Sequence, residues 1–189
     1  RHSITKMSHL HFVAAEEYKN RVIQLGEKPE CVFQVGGLGI DNIKNVNLLS
    51  QQELEDKLDF KLAKKNLLIT FHPVTLEKNT SVNQLRELLI TLNQLRNTGL
   101  IFTMPNADVE GLELYKQIKE FCFSNPSARI YDSLGQLLYL SCIKHVDGVI
   151  GNSSSGLTEV PSFKKGTINI GSRQDGRLKA MSVIDCNPD

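Results

Sequence analysis

A regular alternation of short apolar runs and longer amphipathic stretches fills the chain from residue 66 onward. Strands that alternate with helices in this way predict a parallel sheet with helices on both faces, in the Rossmann-like α/β class. We predict strands at 66–71, 100–104, 128–131, 146–150, 167–170 and 183–185, and helices at 81–96, 111–123 and 134–144. Ligands of such sheets bind beyond the carboxyl ends of the strands, so the residues directly after each strand are the first candidates for a site.

The first 47 residues follow a pattern of their own. They predict strands at 9–14 and 31–35, a helix at 16–25 between them, and a tight turn at 36–39. A polar stretch then precedes a capping box, Ser50-Gln51-Gln52-Glu53, which starts a new helix. We therefore divide the chain into two lobes, residues 1–47 and 48–189. Because the chain opens in what reads as a helix already under way, we expect it to be a piece of a longer polypeptide.

The composition argues against several classes of protein. The net charge is +1 with no basic block, so electrostatics predict no nucleic-acid partner. The four cysteines form no Cys-x-x-Cys pair, which predicts free thiols in a reducing compartment. No apolar run approaches the roughly 20 residues that a membrane span needs, and no signal peptide is visible. We therefore expect a soluble cytoplasmic protein that binds neither membranes nor nucleic acid.

The stretch 146–159 carries the strongest local signal for a ligand. Its apolar start predicts a buried strand, which breaks into Gly and Ser before a helix that can begin at 157–160. Backbone N–H groups and a helix dipole at such a turn favour an anion, and the hydroxyls of Ser153 and Ser154 add donors. Glu159, one turn further on, could accept both hydroxyls of a ribose. The alternative is an ordinary strand–turn–helix junction with serine as N-cap.

The strand-end rule brings further polar residues to the same rim of the sheet. They offer an imidazole, an amide, hydroxyls and a guanidinium, a set suited to a nucleotide diphosphate. Each also has a structural alternative: the histidine could cap a turn, the asparagine could make an Asx-turn, and the arginine could lie in solvent. The residues in question are His72, Asn106, Ser133, Leu134 and Arg173.

Two further histidines, His9 and His11, alternate along the first predicted strand and should share one of its faces. No third ligand accompanies them, so we do not predict a metal site. A buried polar pair and a pair that faces a ligand both remain open.

Five segments, in this order and spacing, closely resemble the hydrolysing UDP-N-acetylglucosamine 2-epimerases, in the branch that makes N-acetylmannosamine for sialic-acid synthesis. The resemblance implies two Rossmann-like lobes of the glycosyltransferase-B type with the active site between them. This chain then corresponds to the end of the first lobe and nearly all of the second. The segments are residues 1–12, His72-Pro73-Val74-Thr75, Pro105-Asn106-Ala107-Asp108, Gly151-Asn152-Ser153-Ser154-Ser155-Gly156 and Gly171-Ser172-Arg173-Gln174-Asp175-Gly176-Arg177.

The resemblance also implies a UDP site. Ser153 and Ser154 match the serines that hold the UDP phosphates, and Glu159 matches the carboxylate on the ribose. Leu134, beside Ser133, matches the position whose backbone meets the uracil.

The resemblance gives the remaining residues roles near the reacting sugar. His72, Asn106 and Arg173 match positions that line the diphosphate and the sugar, with His72 and Arg173 as catalytic candidates. His9 and His11 match first-lobe histidines near the sugar and join that catalytic set. The family's acidic catalytic residues match nothing in these 189 residues, so the chain alone should be inactive.

The implied reaction has two stages. A base removes the C2 proton while UDP leaves from C1, and water then adds to the glycal with reprotonation on the other face. The products are N-acetylmannosamine and UDP. This reading requires no metal or cofactor, and a homodimer would fit the family. Three alternatives stay open: an epimerase of UDP-N,N'-diacetylbacillosamine, a UDP-sugar glycosyltransferase of the same fold, and an inactive nucleotide-binding or regulatory module.

Overall fold

The computed structural model describes residues 2–74, 80–105 and 109–188. The chain falls into two compact units, Arg1–Val46 and Asn47–Asp189. The first contains α1 (His2–Met7), β1 (His11–Val13), α2 (Glu16–Gln24), β2 (Val32–Gln34) and α3 (Leu38–Asn45). The second contains α4 (Gln51–Leu58), β3 (Lys65–Thr70), α5 (Ser81–Asn93), β4 (Thr98–Thr103), α6 (Val109–Ser124), β5 (Ala128–Tyr131), α7 (Gly135–His145), β6 (Gly148–Gly151), α8 (Ser155–Thr158), β7 (Gly166–Ile170) and β8 (Val183–Cys186).

The first unit is built on a two-stranded parallel sheet of β1 and β2. β1 is shorter than predicted and begins at His11, so His9 lies before the strand. A turn does occur at Gly36, whose φ is 82°, but a helix, α3, follows it at once where we had predicted only a tight turn. Ile40 and Ile43 lie one turn apart on this helix and are half-buried, a spacing that favours an amphipathic helix.

The second unit contains a six-stranded, all-parallel sheet in the order β5-β4-β3-β6-β7-β8. The predicted α/β class with a parallel sheet is confirmed. Numbered within this unit, the order is that of a Rossmann fold, in which the chain winds outward from the centre in both directions. The direction reverses between β3 and β6, so the crevice beyond the carboxyl ends of these two strands is the expected ligand site.

Both faces of the central strand β3 are covered by other parts of the unit. Leu68 and Ile69 are consecutive residues of this strand, so their side chains point to opposite faces, and both are fully buried. The Ile69 face packs against apolar side chains of α5 and α6, which together form the main core. Burial on both faces explains why the strand reads as a continuous apolar run.

The helix α4 begins at the predicted capping box. The Ser50 hydroxyl accepts a hydrogen bond from the Glu53 N–H, and the Glu53 carboxylate accepts one from the Ser50 N–H. These two bonds satisfy N–H groups that a helix start leaves without partners. Across the described ranges, no helix combines the length and the apolar character that crossing a membrane requires.

Candidate functional site

The crossing from β6 into the serine turn depends on a glycine. Gly151 pairs with Thr70 of β3 and has a φ of 136°, a conformation that side chains rarely permit. A Cβ atom on Gly151 would lie 2.0 Å from the Thr70 carbonyl oxygen. Because Gly151 has no side chain, the end of β6 can approach β3 closely. The next residue, Asn152, can then reach His72 beyond the end of β3.

Asn152 joins the two strand ends at this point. Its side-chain Oδ1 accepts a hydrogen bond from the His72 N–H (2.7 Å), and its Nδ2 donates to the His72 carbonyl oxygen (2.8 Å). The backbone N–H of Asn152 donates to the Thr70 carbonyl oxygen (3.1 Å). Asn152 is only 1% exposed. One buried amide thus fixes the backbone of His72, which is 80 residues away in sequence.

The backbone carbonyl of Asn152 holds the loop that follows β7. Arg173 donates to this oxygen through Nη1 (3.0 Å), and Gln174 donates to it through Nε2 (2.6 Å). Burial, and to a lesser extent the nearby positive charge of Arg177, lowers the pKa of Arg173 below its usual value. The structure therefore brings His72 and Arg173 together at Asn152, as the strand-end rule predicted for these two residues.

Gln174 leaves one polar atom without a partner. It is 1% exposed, and its Oε1 has no hydrogen-bond partner among the described residues. A buried acceptor without a donor is unusual and costs free energy. It lies on a side chain that is anchored at Asn152, next to the arginine.

The serine turn is half-buried beside this junction. Ser153 accepts a weak hydrogen bond from the Ser155 N–H (3.4 Å), and Ser154 is the N-cap residue of α8 without a side-chain cap bond. α8 begins at Ser155, earlier than predicted, and has only four residues, so its dipole adds less than a long helix would. The turn therefore offers hydroxyl and N–H donors more than a helix dipole.

Glu159 follows α8 instead of lying within a helix as predicted. A separate 3₁₀ turn, Val160–Phe163, starts directly after it. Pro161 has no N–H group and cannot continue the α-helical hydrogen-bond ladder, which explains the early end of α8. The carboxylate is half-buried, on the chain segment that leads away from the serine turn.

Tyr139 of α7 supports the serine turn from behind. Its hydroxyl hydrogen-bonds the Ser155 hydroxyl, and burial raises the pKa of Tyr139 above its usual value. Thr70 and Thr103, on neighbouring strands, hydrogen-bond each other at 2.7 Å. The Tyr139 hydroxyl thus anchors the turn at Ser155, and Thr70, whose carbonyl oxygen accepts from the Asn152 N–H, is tied in turn to β4.

Two further candidates of the second unit, Ser133 and Leu134, follow the end of β5. Ser133 is exposed, and its hydroxyl accepts a hydrogen bond from the Gly135 N–H (3.2 Å). Leu134 is 7% exposed and directly precedes α7, which begins at Gly135 instead of the predicted Leu134. Asn106 lies outside the described residues.

His9 and His11 of the first unit do not form a pair. His11 is buried in β1, with its Nε2 3.1 Å from a Glu27 carboxylate oxygen, whereas His9 precedes the strand and is exposed. The expectation that they share one strand face is wrong because the strand starts later than predicted. Glu27 also accepts a hydrogen bond from Lys6, which with His11 holds the pKa of this carboxyl below its usual value.

No cluster of three metal-ligating side chains occurs within residues 2–74, 80–105 and 109–188. The polar groups at Asn152 include donors, the guanidinium of Arg173 and the hydroxyls of the adjoining serine turn, and one unpaired acceptor, Gln174 Oε1. Donors of this kind bind phosphate oxygens.

The family follows from a match over the whole chain. Residues 1–189 match the family described as UDP-N-acetylglucosamine 2-epimerase. This chain belongs to that family. It is 47% identical over 186 residues to the GDP/UDP-N,N'-diacetylbacillosamine 2-epimerase (hydrolyzing) of Campylobacter jejuni, which covers 98% of this chain and 48% of that protein. It is 48% identical over 186 residues to the polysialic acid biosynthesis protein P7 of Escherichia coli, which covers 98% of this chain and 47% of that protein.

Solved structures of this epimerase family share the fold. The S. aureus MnaA–UDP co-structure has a TM-score of 0.70 at 18% identity, over 89% of this chain and 45% of that one. The UDP-GlcNAc 2-epimerase of Methanocaldococcus jannaschii has a TM-score of 0.69 at 16% identity, over 98% of this chain and 53% of that one. The predicted glycosyltransferase-B-type fold is confirmed. The chain spans about half the length of the curated relatives it matches.

Asn152, Gln174 and Tyr139 were not predicted to have a role. Asn152 carried a usable signal, because it directly follows a strand and the strand-end rule applies to it as well. Gln174 lies next to Arg173 and shares its anchor, a proximity that only the folded loop reveals. Tyr139 had no signal, since it reads as an ordinary apolar position of an amphipathic helix.

Proposed function

We propose that the second unit binds the UDP moiety of a UDP-sugar, and that a protein containing this chain is a hydrolysing UDP-sugar 2-epimerase. The observation that carries the proposal is the junction at Asn152. It brings His72, Arg173 and the serine turn to the β3–β6 switch point, where Rossmann sheets bind nucleotides. Family membership supports the same reading.

In this proposal the diphosphate lies between the serine turn and Arg173. The hydroxyls of Ser153 and Ser154 donate to phosphate oxygens. Arg173 has several N–H donors beyond the one that Asn152 uses, and these are directed to the same anion. The uracil lies near Leu134 and Ser133, Asn106 lines the diphosphate and the sugar, and Glu159 accepts hydrogen bonds from the ribose.

The proposed reaction converts UDP-N-acetylglucosamine and water into N-acetylmannosamine and UDP. A base removes the C2 proton, the C1–O bond breaks, and its electron pair leaves with UDP to give a glycal. Water then adds its oxygen to C1, and a proton returns to C2 on the opposite face. The residues of this chain stabilise the negative charge that grows on the departing diphosphate, and His72 is suited to protonate it. His9 and His11 are assigned to the sugar side of the site.

One relative supports an alternative sugar for the substrate. The C. jejuni protein that is 47% identical to this chain is named for diacetylbacillosamine, and the E. coli protein at 48% is named for polysialic acid. The two identities are too similar to choose between the sugars, so UDP-N,N'-diacetylbacillosamine is the alternative substrate. We place the enzyme in the cytoplasm, as a homodimer without a cofactor, and in polysaccharide or sialic-acid biosynthesis.

The first test is nucleotide binding by the 189-residue chain itself. Isothermal titration calorimetry should show one UDP site, and uridine, which has no phosphates, should bind at least about tenfold more weakly. Equal affinity for UDP and uridine would place the phosphates away from the serine turn. Lack of UDP binding by the folded chain would contradict the proposal.

The second test is the reaction. A longer protein that contains both lobes should release UDP and a free 2-epimerised sugar from one of the two candidate substrates, which NMR of the product mixture identifies. The 189-residue chain alone should release none. Transfer of the sugar to an acceptor would instead indicate a glycosyltransferase, and UDP binding without any turnover by the longer protein would indicate a regulatory module.

A further inference from the structure

We infer that Asn152 is a positioning residue that holds His72 at the diphosphate. The inference rests on the proposed function and adds a residue to it. The two side-chain hydrogen bonds of Asn152 to the backbone of His72 are short, 2.7 and 2.8 Å, and they run in opposite directions. An amide that both accepts from and donates to one residue fixes the direction of that residue's backbone and, with it, the origin of the imidazole.

The side-chain amide of Asn152 continues the hydrogen bonding between the two strands beyond the end of the sheet. The β3–β6 ladder ends with the pair Thr70 and Gly151, and the Asn152 N–H makes one further backbone bond, to Thr70. The side chain of Asn152 then supplies the next pair of hydrogen bonds, to His72, beyond the end of the sheet. Pro73 follows directly and has no N–H of its own. The hydrogen bonding of the sheet thus continues two residues beyond Thr70, the last residue of β3, to His72.

The side chain and the backbone of Asn152 hold different partners. His72 is held by the side chain, whereas Arg173 and Gln174 are held by the backbone carbonyl oxygen. Replacing Asn152 with alanine therefore removes both bonds to His72 and leaves the acceptor for the other two residues. This separation makes the role of the side chain testable without dismantling the phosphate site.

Asn66 provides a matched control in the same chain. Its Oδ1 accepts from the Ala63 N–H (2.8 Å), and its Nδ2 donates to the Ala63 carbonyl oxygen (2.9 Å). It is 4% exposed and lies in β3, near the amino end of the strand. Asn66→Ala therefore removes an equivalent buried amide and the same number of hydrogen bonds, far along the strand from the proposed site.

The test follows the imidazole of His72 by NMR. The chain has five histidines, so ¹⁵N-histidine labelling yields few signals, and His72→Gln identifies the one of interest. Adding UDP to the wild-type chain and to Asn66→Ala should shift the His72 signal by similar amounts. In Asn152→Ala, UDP should still bind within about tenfold of wild type by calorimetry, but the His72 shift should fall to about a third or less.

The outcomes separate the inference from the proposed function. If the wild-type chain does not bind UDP, the proposed function fails and the inference falls with it. If UDP binds and the His72 response of Asn152→Ala equals that of wild type, the inference alone is overturned. Should circular dichroism show that Asn152→Ala does not fold, Asn152→Asp decides. It keeps the size and the acceptor but loses the donor, so an undiminished His72 response in this variant overturns the inference as well.

Discussion

The same device, a buried asparagine that hydrogen-bonds both backbone groups of one residue, occurs at both ends of the central sheet. Near the amino end, Asn66 binds Ala63, three residues away. At the carboxyl end, Asn152 binds His72, which is 80 residues away on another strand. The first bond pair shapes a local turn, and the second joins two strand ends that only the folded chain brings together.

The surroundings of the two asparagines differ in how completely polar groups are paired. At the amino end, Asn66 and Asp147 exchange two further hydrogen bonds: Asn66 N–H to the Asp147 carboxylate (2.7 Å) and Asp147 N–H to the Asn66 carbonyl (2.8 Å). At the carboxyl end, Gln174 keeps an unpaired buried oxygen, and the charge acting on Arg173 is another cation, Arg177. The polar groups around Asn66 are paired with one another, whereas an unpaired buried acceptor and a guanidinium beside a second cation lie where we propose that a ligand binds.

The largest expected effect comes from adding a side chain at Gly151, where β6 lies close to β3. Gly151→Ala places a Cβ atom 2.0 Å from the Thr70 carbonyl oxygen and forces a residue with a side chain into a φ of 136°. We expect a loss of about 4–5 kcal/mol in the free energy of unfolding, since the backbone must move to relieve the clash. Urea denaturation followed by circular dichroism measures it. The control is Gly135→Ala, where a Cβ meets nothing within 4 Å and the φ of 59° is the main cost.

The next effect concerns Arg173, the guanidinium bound at the carboxyl end of the sheet. In a longer, active protein, Arg173→Ala should lower kcat/KM by about two to three powers of ten, which corresponds to ~3–4 kcal/mol of lost transition-state stabilisation. The reason is that negative charge on the diphosphate grows as the C1–O bond breaks. Arg173→Lys should recover only part of this loss, since a point charge cannot match the geometry of a guanidinium. Steady-state kinetics with the preferred UDP-sugar gives the numbers.

Arg177→Ala is the control for that experiment. Arg177 lies in the same loop and influences the pKa of Arg173, but it has no bond to Asn152 and should matter less. A folded Arg173→Ala protein with kcat/KM within threefold of wild type would make Arg173 a surface residue and move the site elsewhere.

A smaller effect should appear at the amino end, and in stability only. Asn66→Ala removes two hydrogen bonds between a buried amide and the backbone of the exposed Ala63, which should lower the free energy of unfolding by about 1–3 kcal/mol. UDP affinity, measured below the unfolding transition, should stay within about twofold of wild type. A substantial loss of UDP affinity in folded Asn66→Ala would show that the two ends of the sheet are not independent.

The difference between the ends also explains what the sequence could predict. Alternation of apolar runs predicted the parallel sheet, because strands buried on both faces leave a periodic signal. The strand-end rule predicted that His72 and Arg173 would approach each other, since it depends only on topology. The bonds at Asn152 were out of reach, because a partner 80 residues away leaves no local pattern. The early end of α8, at Thr158, did have a local signal in Pro161, which the prediction of a longer helix left out of account.

The smallest expected effect concerns the hydroxyl of Ser154 at the carboxyl end of the sheet. Ser154 is the N-cap of α8, yet its side chain makes no cap bond, so its loss should cost the fold little. If that hydroxyl donates to a phosphate, Ser154→Ala should weaken UDP binding by roughly 1–3 kcal/mol, the cost of one hydrogen bond to a charged group. Thr158→Ala is the control, because its exposed hydroxyl donates to the Ser154 carbonyl oxygen (3.0 Å) in the same turn, and UDP affinity should change less than twofold. Calorimetry on both variants compares them. Equal UDP affinity in Ser154→Ala and wild type would mean that this hydroxyl does not bind the phosphates.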